Sequence, residues 1–328
     1  MRAMQITELT GPATALTPAD IAEPAAEHML TPGCGVIVDV HAAGVSFPEL
    51  LQTRGEYQMK PPLPFVPGSE VGGIVREAPA DAAVKPGDRV AAFCALGGFA
   101  QVAVAPAYLT FKLPDELSFA QGAGLVLNYH TAYFSLVMRG RLTEGETVLV
   151  HGGAGGVGTA TLQVAKGLGA RTIAVVSTDA KEAVAREAGA DHVVRSGGDW
   201  KAQATEISGG GVDVVVDPVG GDRFTDSLRA LREGGRVVVV GFAAGSIPEV
   251  KVNRLLLKNT EVIGAGWGGS VLSKPAVTVQ IGEAIDRLIA SGAVRPVIGA
   301  RYPLERAPDA LTLLDQRGAL GKVVLELT

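Results

Sequence analysis

Cysteine is scarce: Cys34 and Cys94 are the two in 328 residues, too few for a disulfide framework, and nothing in the chain points to export. The first residues, Met1-Arg-Ala-Met-Gln-Ile-Thr-Glu, hold no apolar signal core. No run approaches the roughly 18 uninterrupted apolar residues of a membrane span. A soluble cytoplasmic protein with no membrane partner is the expectation. A basic excess is also missing, since 34 acidic residues outnumber 29 Lys and Arg for a net charge of -5. That balance argues against a nucleic-acid partner, which normally meets a basic face. Charged residues make up only 19% of the chain against 47% hydrophobic, a proportion that suits parallel strands buried on both faces. The length leaves room for two domains and ample core.

What the chain has in quantity is glycine, 43 in all, and its densest cluster organises the rest. From Glu146 an apolar strand-type run, Thr147 to Val150, enters Gly152-Gly-Ala-Gly-Gly-Val-Gly. Beyond it Ala160, Leu162, Val164, Ala165 and Leu168 recur at helical spacing. Strand, tight turn and helix follow in that order. Gly153, Gly155 and Gly158 fit G-x-G-x-x-G, with Gly156 and Val157 between them. These glycines permit the turn, the close approach of a pyrophosphate and the packing of helix on strand, and the first amides of the helix face the phosphates. In a glycine-rich chain the motif alone is weak; the strand and helix units that follow it supply the context.

Residues 1–118 carry short β-type runs separated by Pro and Gly, such as Val36 to Val45, Gly68 to Val75, Pro86 to Phe93 and Gly98 to Val104. Dense turns between them predict a compact barrel-like β domain. Ser118 with Gln121 forms a capping-box pattern whose helix should carry the chain toward Tyr133, and a domain boundary is placed there. Over 119–267 strand runs at 147–150, 172–176, 193–194, 212–217, 236–241 and 261–264 alternate with helical segments such as Asp179 to Ala188 and Gly221 to Leu231. Six strands make a complete doubly wound dinucleotide-binding sheet, an α/β fold. A helical stretch, Val277 to Ser291, and a strand, Lys322 to Leu327, remain, and 268–328 are expected to return and complete the first domain.

Charge decides which dinucleotide is expected. An acidic residue about twenty positions beyond the glycines would favour NAD and repel a 2′-phosphate. After strand Thr172 to Val176 the chain reads Ser177-Thr-Asp-Ala-Lys181. Ser177 can donate to a phosphate and Lys181 can sit over it as a point charge, so NADPH is favoured. Lys181 as an ordinary solvated helix residue is the alternative. Asp179 is explained if a Thr-Asp pair caps the helix that follows.

The segments Gly44-Val-Ser-Phe-Pro-Glu-Leu-Leu-Gln-Thr-Arg-Gly-Glu-Tyr, Pro64-Phe-Val-Pro-Gly-Ser-Glu-Val-Gly-Gly, Lys85-Pro-Gly-Asp-Arg-Val, Gly152-Gly-Ala-Gly-Gly-Val-Gly, Asp217-Pro-Val-Gly-Gly and Gly321-Lys-Val-Val-Leu, in this order, resemble the medium-chain dehydrogenase/reductase superfamily. Within it the chain is most similar to the zinc-free quinone oxidoreductase branch. The resemblance covers essentially the whole length and implies a GroES-like substrate domain, a Rossmann domain and an active site in the cleft between them.

Where zinc-dependent relatives place their ligands, this chain offers Ser46, Ser69 and Leu127, and no plausible ligand set results. His41, His130 and His151 have no recognised metal spacing. No metal is expected. By resemblance Thr131 stands beside the cofactor and Gly241-Phe242 ends a strand whose loop borders the nicotinamide. Ser46 replaces a common Asn and can still hydrogen-bond a substrate, and Tyr57 matches a pocket tyrosine that could stack on a quinone or donate to its oxygen. Thr131, Gly241-Phe242 and Tyr57 each have a bland alternative: helix interior, strand-ending turn and surface-packing aromatic. His130 reads better as a buried histidine than as an acid. Similar reductases often place a tyrosine after the Asp-His-Val-Val run; here Arg195 follows, either taking over that role or merely exposed.

Three readings remain open: an NADPH-dependent quinone reductase, a reductase of enones or enoyl thioesters on the same scaffold, and an NADPH-binding protein without turnover. A homodimer is expected from the runs Arg236-Val-Val-Val-Val and Glu249-Val-Lys-Val-Asn, placed near an exposed sheet edge, and from the resemblance.

Overall fold

The computed structural model describes residues 1–31 and 33–327, with residues 271–273 as backbone alone. β1 (Arg2–Ile6), β2 (Leu16–Asp20) and β3 (Gly35–Val45) lead into helix α1 (Phe47–Gln52), then β4 (Glu70–Glu77), β5 (Arg89–Phe93), β6 (Val102–Pro106) and β7 (Thr110–Lys112). Helices α2 (Phe119–Gly122) and α3 (Val126–Tyr133) come next. Strand and helix then alternate through β8 (Thr147–His151), α4 (Gly156–Gly167), β9 (Arg171–Val176), α5 (Asp179–Glu187), β10 (His192–Arg195), α6 (Trp200–Ile207), β11 (Val212–Asp217), α7 (Phe224–Ala230) and β12 (Leu231–Val239). After them stand α8 (Asn253–Lys258), β13 (Glu261–Gly264), α9 (Trp267–Ser273), α10 (Pro275–Ala290), β14 (Ile298–Pro303), α11 (Ala307–Asp315) and β15 (Lys322–Glu326).

Contacts divide the chain into two units, Met1–Leu127 with Pro296–Thr328, and Asn128–Arg295. The division therefore falls inside α3 rather than at 118, and 268–295 lie in the second unit instead of completing the first. The reason is visible in α10, whose apolar face (Ile281, Ile285, Leu288) is buried, with Leu288 packed at Gly167 of α4.

In the first unit β3 is the hinge of a sheet ordered β14-β15-β3-β4-β5-β7, with β6 also paired to β3. Its eleven residues are buried almost throughout because partners cover it on both sides. Val36, Val38, Leu50, Val90, Phe99 and Leu325 share one core, and each such side chain contributes roughly 1.5–3 kcal/mol through burial.

The second unit is an all-parallel sheet in the order β10-β9-β8-β11-β12-β13. Its strands carry helices on both faces, so β11, Val-Asp-Val-Val-Val-Asp, is buried at every position. Trp200 of α6 with Phe224 and Leu228 of α7 close the core over Ile173, Val215 and Val237. The strand order reverses between β8 and β11, and ligands of such sheets bind beyond the carboxyl ends of the strands at that point.

Two sequence expectations change. The run beginning at Arg236 lies one strand in from the sheet edge, β12 ending at Val239 and pairing with β11 and β13, while Glu249 to Asn253, expected beside it near that edge, forms no strand. An uninterrupted aliphatic run is the mark of an interior parallel strand, and the edge is the more exposed β13. The Ser118–Gln121 capping box forms, with Gln121 N–H donating to Ser118 Oγ at 3.3 Å, yet its helix stops after four residues. The helix resumes as α3 and widens into a π-helix over Phe134–Arg139. No helix among the described residues is long and apolar enough to cross a membrane.

Candidate active site

The glycine cluster follows β8 directly. Gly152 turns the chain with φ +62°, and Gly155 caps α4. A Cβ on Gly153 would lie 2.8 Å from Ala174 Cβ of the neighbouring β9, and one on Gly158 would lie 2.1 Å from the Gly152 carbonyl oxygen. Both glycines are therefore demanded by packing of loop, strand and helix. The first turn of α4 leaves the amides of Gly156, Val157 and Gly158 without intrahelical acceptors at the positive end of a twelve-residue helix. These residues fit a dinucleotide's pyrophosphate. Asn128, which the sequence did not single out, brings its amide against this turn: a Cβ on Gly156 would meet Asn128 Nδ2 at 2.7 Å. Thr131, one helical turn further along α3, is buried.

Beyond β9, Ser177 is exposed and Thr178 is the N-cap of α5, accepting from the Lys181 amide at 3.3 Å. The cap role considered for the Thr-Asp pair thus falls to Thr178 alone. Asp179 instead takes a hydrogen bond from Arg195, which also donates to Glu182. The guanidinium of Arg195 pairs with the acidic side chains of this edge; Ser177 precedes the cap, and Lys181, partly exposed, follows it.

Past β11 and β12 the two following loops are zipped together. Asp217 accepts from the amides of Val219 (2.8 Å) and Gly220 (2.9 Å), Ala243 N–H donates to Pro218 O and Ala244 N–H to Val219 O. Gly241 and Phe242 lie within this paired loop, two residues beyond the strand end rather than ending it. A Cβ on Gly220 would strike Phe242 Cδ1 at 2.9 Å, so this glycine lets the ring lie close.

In the first unit Ser46, Ser69 and Leu127 meet in one buried polar network around two carboxylates and an ammonium. Ser46 N–H donates to Glu49 Oε2 at 2.8 Å, Ser69 Oγ donates to Glu49 Oε1, and Leu127 N–H donates to Glu70 Oε2 at 2.9 Å. Lys322, from the distant strand β15, donates to Ser46 Oγ at 2.6 Å and to Glu70 Oε1. Its side chain is 4% exposed and that of Glu70 is fully buried. Strand register explains the meeting: β15 runs antiparallel to β3 with Val323 opposite Val45, so Lys322 arrives opposite Ser46, while Glu70 lies across from Gly44. Burial pushes the carboxyls of both Glu49 and Glu70 up; Ser69 opposes this most at Glu49, and Lys322 at Glu70. Tyr57 is half-buried, and burial followed by the charge of Glu49 raises its phenol, which stays protonated at neutral pH.

Glu49, Glu70 and Lys322 were missed in the sequence. The one available signal was a lysine heading the apolar run Lys322-Val-Val-Leu, which reads as a solvated strand end until the register is known. The three histidines have separate settings: His41 stacks on Phe119 at 4.3 Å, His130 meets Trp267 edge-on at 5.5 Å, and His151 meets Trp200 edge-on at 4.9 Å. Among the described residues no group of three or more His, Cys, Asp or Glu side chains is arranged to hold a metal ion.

A doubly wound parallel sheet with a glycine loop at its switch point, carried in one chain with a GroES-like β unit, defines the two-domain dehydrogenase/reductase class. Residues 32–115 match the alcohol dehydrogenase GroES-like domain, and residues 156–280 match the family described as zinc-binding dehydrogenase. Quinone oxidoreductase-like protein 2 of Rattus norvegicus is 40% identical over 89% of this chain and 85% of its own length. Quinone oxidoreductase of Homo sapiens is 34% identical over 100% of this chain and 98% of its own. Among solved structures, a probable oxidoreductase from Mycobacterium abscessus superposes with TM-score 0.89 at 41% identity, covering 100% of this chain and 99% of that one. The Escherichia coli quinone oxidoreductase complexed with NADPH does so with TM-score 0.87 at 30% identity over the full length of both. The chain belongs to the medium-chain dehydrogenase/reductase superfamily, among its quinone oxidoreductase-like members.

Proposed function

We propose that the chain is an NADPH-dependent reductase of quinones or related conjugated carbonyls that works without a metal ion. The observation that carries this is the loop Gly153 to Gly158, built around close packing at both ends and opening on free amides at the switch point. Relatives named quinone oxidoreductase, one of them solved with NADPH, support it.

NADPH, when bound, supplies hydride from its nicotinamide ring. The amides of Gly156, Val157 and Gly158 hold the pyrophosphate, Ser177 and Lys181 take the 2′-phosphate, and Thr131, Gly241 and Phe242 border the nicotinamide. Ser46 and Tyr57 donate hydrogen bonds to the acceptor oxygen as it gains charge. Tyr57, kept protonated, or solvent gives the final proton, so that quinone, NADPH and one proton become hydroquinone and NADP⁺. At the positions where zinc-dependent relatives hold their metal, the Ser46 oxygen accepts from the Lys322 ammonium, the Ser69 hydroxyl donates to Glu49, and Leu127 has no side-chain ligand atom. A fixed ammonium at that point opposes a second cation. Without a Lewis acid, acceptors already activated by conjugation are favoured over plain ketones.

We also infer a homodimer formed through the second unit. β13 is the outer strand of its sheet with Val262 exposed, and the preceding segment exposes Val252, Leu256 and Leu257.

The test follows NADPH oxidation against 1,4-naphthoquinone, an enone and an acyl thioester, with and without a chelator. Quinone-dependent turnover that is insensitive to the chelator is expected. Turnover with the thioester alone would move the assignment to an enoyl-thioester reductase, and bound NADPH that no acceptor oxidises would identify a binding protein.

A further inference from the structure

We propose that Lys322 is a positioning residue for the reduction: its ammonium, anchored on Glu70, donates to the Ser46 oxygen and so turns the Ser46 hydroxyl hydrogen outward, toward the acceptor's carbonyl oxygen. The inference rests on the reading above and deepens it by naming what makes Ser46 a donor.

A serine hydroxyl has one hydrogen and two lone pairs, and its hydrogen goes wherever the surroundings leave an acceptor. At Ser46 the choice is restricted. Its oxygen accepts from Lys322 at 2.6 Å, and its own N–H is spent on Glu49. Among the described residues no acceptor is found for the Ser46 hydroxyl hydrogen. A hydroxyl that accepts from a cation is polarised, and its remaining hydrogen becomes a stronger donor. The ammonium thus takes the electrostatic place a metal would hold, one bond removed from the acceptor.

The arrangement is built rather than incidental. The Lys322 stem passes over two glycines: a Cβ on Gly44 would lie 2.8 Å from Lys322 Cε and 2.7 Å from Glu70 Cγ, and one on Gly124 would lie 3.0 Å from Lys322 Cγ. Neither glycine has a positive φ, so room is what glycine provides: at Gly124 for the Lys322 stem, and at Gly44 first for the Ala123 carbonyl oxygen, 2.1 Å from a Cβ there, and then for Glu70 and Lys322. Glu70 is itself fixed from the other side by the Leu127 amide. Salt-bridge strength alone would not ask the ammonium to reach past Glu70 to a serine at the end of β3.

The experiment compares wild type with Ser46→Ala and with Lys322→Met/Glu70→Gln, a double change that removes the paired charges together and leaves Glu49 held by the Ser46 amide and the Ser69 hydroxyl. Thermal melting establishes that each variant is folded. With 1,4-naphthoquinone, kcat is expected to fall about 100-fold in each, the loss typical of one oxyanion donor, while NADPH affinity is retained. The combination of all three changes should cost little more than either, because the groups act as one unit. A second readout needs no turnover: 4-nitrophenol, whose phenolate bears charge on an oxygen like that of the reduced acceptor, is titrated with the protein. Wild type should favour the bound phenolate about tenfold over solution, and both variants should lose that preference. A folded Lys322→Met/Glu70→Gln protein with wild-type kcat and wild-type phenolate preference overturns the proposal, as does a wild type with no preference. If wild type oxidises NADPH with no acceptor, the functional reading fails on its own, and the phenolate titration still decides the role of Lys322.

Discussion

Lys181 and His151 show how differently two polar residues of one unit act. Lys181 stands in the first turn of α5 beside an acidic edge whose Asp179 and Glu182 are already engaged by Arg195. If it meets a 2′-phosphate, a charge-assisted contact of about 1.5–3 kcal/mol is at stake. Lys181→Ala should therefore weaken NADPH binding roughly tenfold or more and leave NADH almost unchanged, as read by nucleotide fluorescence titration. His151 is buried under Trp200 with Nε2 2.8 Å from Ser227 Oγ. Burial, partly offset by Asp217, lowers its pKa from 6.5 to about 4. Unfolding would let it take up a proton, so the stability it contributes is complete above pH 6.5 and is lost as pH falls toward about 4. The urea midpoint should decline over that window, and His151→Asn should flatten the decline. The glycine turn before α4 was legible because its signal is local, a motif at a strand end. Lys322 was not, since its partners lie 252 and 276 positions away and only the register of β15 on β3 brings them together.

At the scale of elements, five of the six strands of the second unit could be read to within a residue, because buried parallel strands are continuous aliphatic runs; β12 starts five residues before the run read at 236, through Leu231-Arg-Glu-Gly-Gly, which carries no aliphatic run. The run at Arg236 was read as lying near the end of the sheet, and β12 is its penultimate strand; which strand forms the edge itself is not written in composition, since that does not tell how many neighbours a strand has. The breaks between α2, α3 and the π-helix at Phe134–Arg139 were likewise invisible, as periodicity over so few residues cannot separate one continuous helix from three short ones. The junction of β8 and α4 offers a sharp test. Gly158→Ala puts a methyl group 2.1 Å from the Gly152 oxygen, and the helix must shift away from the loop. A loss of about 1–3 kcal/mol in urea unfolding is expected, together with weaker NADPH binding. Gly197→Ala, where a Cβ would meet nothing within 4 Å, should be neutral or slightly stabilising.

For the whole molecule, both folds were foreseen but the allotment of segments to them was not. A long amphipathic helix such as α10 fits either unit by pattern, and what decides is the partner surface at Gly167. Assembly is testable at the same scale. Leu256 and Leu257 are 77% and 78% exposed, more than an isolated surface leucine needs to be. Leu256→Glu/Leu257→Glu should convert a dimer to a monomer in light scattering after gel filtration, with its melting temperature then independent of protein concentration. The interleaving of the chain has a temporal consequence. The stretch Asn128–Arg295 is contiguous and holds everything its sheet requires, whereas β3 waits for β15, which is made only after that whole stretch. The nucleotide-binding half is thus free to assemble during synthesis, and the earlier-made half stays open along one seam until Lys322 emerges to close it.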